Sequence, residues 1–477
     1  MQKIRVIPRL DIKGPNVVKG IHLEGLRVVG NPAEFAKRYY EQGADEILYI
    51  DIVASLYERN SLVELIKETN SKGVFVPLTV GGGIRSLNDI KEILRAGADK
   101  VAINTAAIKN PSLIAQAAKR FGSQCIVGAI DAKYRGDAGW EAYFDNGRER
   151  TGLDAIEWAK KMAELGVGEM MVTSIDREGT GAGFELGLVK RMVEVVDVPV
   201  IAGGGAGDPG HITECFRETG CQAVSVASIL HYGRTTIPEI KEHLLSHGVL
   251  NVRAKSAECG APAMRKEKKE KTVSIVDYGM GNLYSVISAL KELGYGHRLV
   301  ATPEEILASD SVILPGVGAF GDAMEELSKR GLVEAIRKHA DMGKPLLGIC
   351  LGMQLLLSES EEFGLHKGLD IIHGHVVRLE PDESARLPHI NWDEIMPPNG
   401  AGWSGTILDG IPPNSSFYFV HSFGCFPEDI NNFLATTVYG GQPFCSVARK
   451  GNVYGTQFHP EKSGSIGLKL LESFLRL

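Results

Sequence analysis

The segment VPLTVGGG at 76–83 returns as VPVIAGGG at 198–205, 122 residues later. Nearly the same shift carries Asp11 onto Asp131, and Gly43-Ala44-Asp45-Glu46 onto Gly166-Val167-Gly168-Glu169. A repeat at half the length of a domain points to two similar halves. Short β-branched runs at 4–10, 46–51, 74–80, 100–104, 125–131, 169–174, 198–202 and 222–227 alternate with amphipathic stretches such as Pro32–Gln42 and Leu153–Leu165. Eight strands alternating with helices predict a (β/α)8 barrel over 1–253. The plainer account of the repeat is that all strand–helix units look alike.

Composition narrows the class. The net charge of −7 gives no reason to expect nucleic-acid binding. No apolar run approaches the ~18 residues that a membrane span needs. The N-terminus MQKIRVIPRL breaks its apolar run with Arg5, Pro8 and Arg9, unlike a signal peptide. The seven cysteines have no C-x-x-C spacing, which suggests reduced thiols in a cytoplasm and leaves one free to act as a nucleophile.

Residues 254–271 are small, polar and charge-rich, and read as a flexible linker; Arg265–Lys271 can also be read as a short solvated helix. A second domain then spans 272–477. It opens with a strand at 273–279 and a helix from about Asn282 to Leu293, with further strands at 311–316 and 344–350. This predicts a doubly wound α/β domain with an antiparallel extension.

The sharpest chemical signal is Gly348-Ile349-Cys350-Leu351-Gly352-Met353-Gln354, an apolar strand running through a cysteine into a helix. Flanking glycines permit the tight turn of a nucleophile elbow, and helix-end N–H groups favour a thiolate. The Leu351 N–H is placed to stabilise an oxyanion. In Gln457-Phe458-His459-Pro460-Glu461, His459 supplies a base and Glu461 a carboxylate to orient it. A lone cysteine closing a strand is more often packing. The combination with the Pro315-Gly316-Val317-Gly318 turn, which offers another backbone N–H, shifts the balance to catalysis.

Together with DYGMGNL, PGVGAF, LPHINW and YFVHSF, GICLGMQ and FHPE make residues 272–477 resemble a class I, triad-type glutamine amidotransferase, in particular the glutaminase of imidazole glycerol phosphate synthases. The resemblance implies that Cys350 attacks the glutamine carboxamide, with His459 and Glu461 completing the triad. It implies Val317 and Leu351 as oxyanion N–H donors, and Gly318, Gln354, His421 and Ser422 around the glutamine. Asn391 and Phe423 stand where the family usually has glycine and tyrosine.

In the barrel, Asp11 and Asp131 end the first and fifth strands. Barrel active sites lie at strand C-terminal ends, so this pair suits acid/base work across the mouth; each taken alone can simply cap a loop. Gly82 and Gly83 with Asn104 and Thr105 offer bare N–H groups and a hydroxyl to one phosphate. Gly204 and Gly205 with Ser228 offer the same on the other side. Asp176 and Gly179 line the same mouth in this reading, and Lys19 lies in a long first loop able to fold over substrate.

This half is similar to the cyclase of the same synthases, carried by LDIK, VVKG, DIVAS, TVGGGI, ADKVAINTAA, AIDAK and SIDREGT. The resemblance implies a bis-phosphorylated ribulosyl–formimino ribonucleotide as substrate, Asp11 and Asp131 as the acid/base pair, and no metal or organic cofactor. Arg9 replaces a small residue before Asp11, and the first loop reads Lys13-Gly14-Pro15-Asn16 where such cyclases have another turn. An alternative is an ammonia-supplying pair for amidination of a surface-polysaccharide sugar.

Arg5, Glu46, Lys100 and Glu169 each stand where a strand begins, and can form a charged ring at the barrel bottom. Such a ring is either a salt-bridged structural layer or, as the resemblance favours, a gate for ammonia. The glutaminase is then expected to dock on that face within one chain, a linker of 18 residues reaching roughly 60 Å.

Overall fold

The computed structural model describes residues 2–54, 62–253, 271–400 and 402–477. They form two compact units, N-terminal and C-terminal. The expected linker at 254–271 lies, apart from Lys271, outside the described residues.

The N-terminal unit is a closed barrel of eight parallel strands: β1 (Arg5–Lys13), β2 (Ile47–Asp51), β3 (Leu78–Gly81), β4 (Lys100–Ile103), β5 (Ile126–Tyr134), β6 (Glu169–Ser174), β7 (Val200–Gly203) and β8 (Ala223–Val226). Each pairs with the next, and β8 with β1. Strands β3, β4, β6, β7 and β8 are buried along their whole length, as strands walled by helices must be. The helices start where their caps allow. Asn31 accepts from the Glu34 amide ahead of Pro32–Glu41, and Ser86 and Asp89 form a reciprocal capping box.

Two hairpins, unforeseen in the sequence, follow the two strands that carry Asp11 and Asp131. Asn16–Ile21 pairs with Glu24–Gly30, and Trp140–Phe144 with Glu149–Asp154. Both turn through consecutive left-handed residues, His22 and Leu23 in one and Asp145 and Asn146 in the other. Such turns match the twist of the strands they join. The half-barrel repeat thus extends to the excursions above the mouth. Leu23, Tyr143 and Ile175 pack together between them. The helix expected from Leu153 begins at Ala155, because Asp154 ends a strand and accepts from the Ile156 and Glu157 amides.

Side chains alternate along a strand, so Arg5, Ile7, Arg9 and Asp11 of β1 share the inner face. Ile7, Leu48, Ala102, Val127, Ala129, Met171, Ile201 and Ala223 form an apolar layer there. This layer is the apolar interior of the barrel, between the strand starts and the mouth.

The C-terminal unit is built on a sheet in the order Gly296–Val300, Thr272–Val276, Val312–Gly316, Leu346–Cys350 and Val453–Thr456, all parallel. It continues antiparallel through Gln442–Lys450, Phe423–Pro427 and Gly374–Arg378. The helix expected after Asn282 runs Leu283–Glu292, with Asn282 capping the Ser285 amide. No described helix is long and apolar enough to cross a membrane.

Candidate active sites

In the C-terminal unit, Cys350 ends its strand with φ at +54°, a left-handed conformation that strains any residue with a Cβ. The helix after it packs tightly on the sheet: a Cβ on Gly352 would lie 1.8 Å from the Leu314 carbonyl oxygen. Gly316 is the register partner of Cys350, so Val317 and Leu351 leave adjacent parallel strands side by side. Gly318 follows Val317 at φ +119°. The Cys350 Sγ receives the Gln457 Nε2–H at 3.8 Å.

His459 is buried, and its Nδ1 meets Glu461 Oε1 at 2.7 Å. A carboxylate can only accept here, so Nδ1 carries the proton. Nε2 is buried with no hydrogen bond of ordinary length among the described residues. Burial pulls the imidazole down, but the charges of Glu461 and then Cys350 outweigh it and hold His459 well above its ordinary value. Gln354 donates to the Phe423 carbonyl at 3.1 Å and to Gln457 at 3.3 Å. His421 contacts the same Phe423 carbonyl through Nδ1 at 2.8 Å. Burial lowers His421 well below its ordinary value, helped by neighbouring His389 and His459. Ser422 is half-buried directly after it.

In the barrel, Asp11 is buried between two cations. Arg9 Nε donates to it at 2.8 Å and Lys19 Nζ at 3.2 Å. Burial would raise its carboxyl, but Arg9 and Lys19 hold it down to about 2. Asp131 accepts from Asn104 Nδ2 at 2.9 Å. Burial pushes Asp131 up to about 6, against the pull of Arg9. The twin positions of the repeat therefore carry carboxyls of opposite character. One is a fixed anion; the other is poised to hold or give a proton near neutrality.

Among the described residues, cavities open on this unit that take several of the expected site residues. The first, of about 280 Å³, is lined by Gly82, Gly83, Asn104 and Thr105 together with Arg9, Arg85, Lys109 and Asp131. Gly82 sits at φ +99°, where a Cβ would come within 2.2 Å of the Asp51 carbonyl oxygen. The second, of about 590 Å³, takes Lys19, Gly179, Ser228, Arg27, Tyr232 and Arg234. Gly204 and Gly205 are not in its lining, and Ala206 takes their place. The Asp176 carboxylate is turned to the Tyr134 amide at 2.8 Å and lines neither cavity. Thr105 Oγ1 accepts from the Asp145 amide at 3.1 Å, which ties the second hairpin to the first cavity.

The four charges at the strand starts do meet. Arg5 Nη1 lies 2.9 Å from Glu46, and Arg5 Nη2 pairs with Glu169. Lys100 Nζ lies 2.9 Å from Glu46 and also pairs with Glu169. All four are buried. Glu169 is held below the carboxylate range, since Arg5 and Lys100 overcome its burial.

Sequence reasoning missed several groups. Glu178 pairs with Lys19 beneath the first hairpin; it lies in SIDREGT between the two residues that the sequence points to, Asp176 and Gly179, of which Gly179 lines the second cavity. Arg9 was noted as a departure, not as the partner of Asp11. Arg85, Lys109, Arg27 and Arg234 supply cations to the cavities from loops without a motif. Glu362 accepts from the Phe320 amide at 2.7 Å, just after the Gly318 turn, and burial pushes it up to about 7. It sits in an acidic run that reads as solvated surface.

Comparison with known proteins gives two families. The one described as histidine biosynthesis protein matches residues 5–236, and class-I glutamine amidotransferase matches 274–476. A Legionella pneumophila protein, imidazole glycerol phosphate synthase subunit HisF, is 59% identical over 207 residues, which are 43% of this chain and 97% of that protein.

Proposed function

Because the chain belongs to the imidazole glycerol phosphate synthase family and also carries a class I glutamine amidotransferase domain, we propose that it is a glutamine-dependent synthase of histidine biosynthesis, acting in the cytoplasm. It takes ammonia from glutamine at Cys350. It uses that ammonia in the barrel to turn a bis-phosphorylated ribulosyl–formimino precursor into imidazole glycerol phosphate and aminoimidazole carboxamide ribotide. The observation that carries the reading is the barrel mouth. Two carboxyls of opposite character, Asp11 and Asp131, accompany two cation-lined cavities.

In the glutaminase, His459 Nε2 takes the thiol proton while Glu461 keeps the imidazole oriented and stabilises its charged form. The thiolate adds to the carboxamide carbon. Val317 and Leu351 N–H groups receive the oxyanion, the His459 proton goes to the departing ammonia, and the Cys350 thioester left behind is cleaved by water, whose proton His459 takes and returns to the sulfur as glutamate leaves. Gly318, Gln354, His421 and Ser422 surround the glutamine. In the barrel, Gly82, Gly83, Asn104 and Thr105 hold one phosphate; Lys19 and Ser228 hold the other. Asp131 moves the proton, and Asp176 fixes the loop after β5. The ring of Arg5, Glu46, Lys100 and Glu169 gates ammonia on its way to the mouth, and the two halves exchange it within one chain.

The test is turnover by the purified full chain with glutamine and the precursor. Glutamate and both products are expected, and Cys350→Ala should lose glutamine use but keep turnover with ammonium salts. Loss of both activities in that variant would refute the division of labour. Glutamate without cyclisation would point instead to supply of ammonia to a separate sugar-amidating enzyme.

A further inference from the structure

The interior of the barrel is crossed twice from the same strand to the same strand. Arg5 of β1 reaches Glu169 of β6, and four residues on, Arg9 of β1 reaches Thr173 of β6. Strands β7 and β8 separate β1 from β6 in the sheet, so both contacts pass through the barrel. Between the crossings lie Ile7 and Met171, in the apolar layer. Four residues of strand put the crossings roughly 13 Å apart.

The upper crossing is built asymmetrically. Arg9 Nε is 2.8 Å from Asp11, a charge-assisted bond, and Nη1 is 3.0 Å from the neutral hydroxyl of Thr173. The first bond is the stronger by roughly a factor of two. The guanidinium thus has a firm pivot and a weak latch. Arg9 is only 4% exposed, yet it lines the first cavity beside Asp131. Asp131 is the register partner of Thr173, so the latch stands next to the group that moves the proton. Below Arg9 the barrel is apolar and above it is polar. Neutral ammonia crosses the apolar layer readily, whereas ammonium is penalised there.

We propose that Arg9 is a second gate, at the mouth end of the barrel, which stays latched across the interior on Thr173 until an anionic substrate in the first cavity takes over its hydrogen bonds. This rests on the reading of the barrel as an ammonia consumer. Paired with the ring at the bottom, it makes the apolar layer a compartment that opens upward only when an acceptor is present. Removing the latch lets ammonia leave through an empty mouth.

The experiment uses the full chain with glutamine, holds the precursor below saturation, and reads glutamate formed per imidazole product together with free ammonium. That ratio does not depend on how much of a variant is folded. The wild type should stay near one glutamate per product. Thr173→Val, which keeps the Arg9–Asp11 pair, should raise the ratio at least about twofold, with the missing nitrogen recovered as ammonium, and Arg9→Met should raise it further. If Arg9→Met does not fold, Thr173→Val carries the test. A wild-type ratio in the folded variants overturns the gate and leaves the proposed function standing. A wild type that makes no product from glutamine or from ammonium salts overturns the function, and the gate with it.

Discussion

Glu461 Oε1 holds His459 by its Nδ1 at 2.7 Å, and the opposite ring nitrogen of His459 is buried with no hydrogen bond of ordinary length among the described residues, Cys350 being the other side chain that acts on the ring. An unsatisfied buried nitrogen costs on the order of 1–3 kcal/mol. A hydrogen-bonding hydroxyl or amide would remove that cost, but it would also occupy the lone pair that a thiol proton needs. Glu461→Gln keeps the shape and loses the charge that holds His459 high. Glutamate release should fall by about 10²- to 10⁴-fold with little change in KM, read in a glutaminase assay.

Cys350 is bent into a left-handed turn at φ +54°. Alanine at this position keeps that strain, and glycine relieves it. Cys350→Gly should therefore be more stable than Cys350→Ala by about 1 kcal/mol, measured by urea unfolding of the C-terminal transition, with both variants inactive on glutamine.

The two mouth carboxyls should respond to pH with opposite signs. Asp131 rises from 3.8 to about 6 in the folded chain, so its favourable contribution is present below the ordinary value and is lost as pH rises through about 6. Asp131→Asn should raise the barrel's unfolding midpoint at pH 8, a gain of about 1–3 kcal/mol, and the gain should vanish near pH 4. Asp11 is held down to about 2, so its contribution is present above its ordinary value and is lost as pH falls through about 2. Asp11→Asn should destabilise at pH 8 by about 3–5 kcal/mol, because Arg9 stays buried without its carboxylate.

The bottom ring is a buried network, and its members are costly to remove singly. Glu46 accepts from Arg5, Lys100 and Thr79. Glu46→Gln should cost about 3–5 kcal/mol. Replacing Arg5, Glu46, Lys100 and Glu169 together by apolar residues of similar size should recover most of that loss in denaturant unfolding. A quadruple variant no more stable than Glu46→Gln would show that the charges hold the barrel together.

The strand–helix alternation, the half-length repeat and the Cys350 elbow with His459 and Glu461 were legible in the sequence, because each is written in local spacing: period two for strands, glycines where a turn must be tight, one residue between base and carboxylate. The charged ring was legible for the same reason, since four strand starts in equivalent positions must face one another in a closed barrel. The character of each group was not legible. Asp11 and Asp131 occupy matching places in the repeat, yet Arg9 and Lys19 fix one as an anion while burial raises the other against the pull of Arg9 and Asn104. Asp176 reads like a mouth residue but spends its carboxylate on the Tyr134 amide. Arg9 reaches Thr173, 164 residues away, only because the closed sheet sets β6 across the interior from β1. Charge and proton affinity depend on what surrounds a side chain in three dimensions, and that neighbourhood exists only once the sheet has closed.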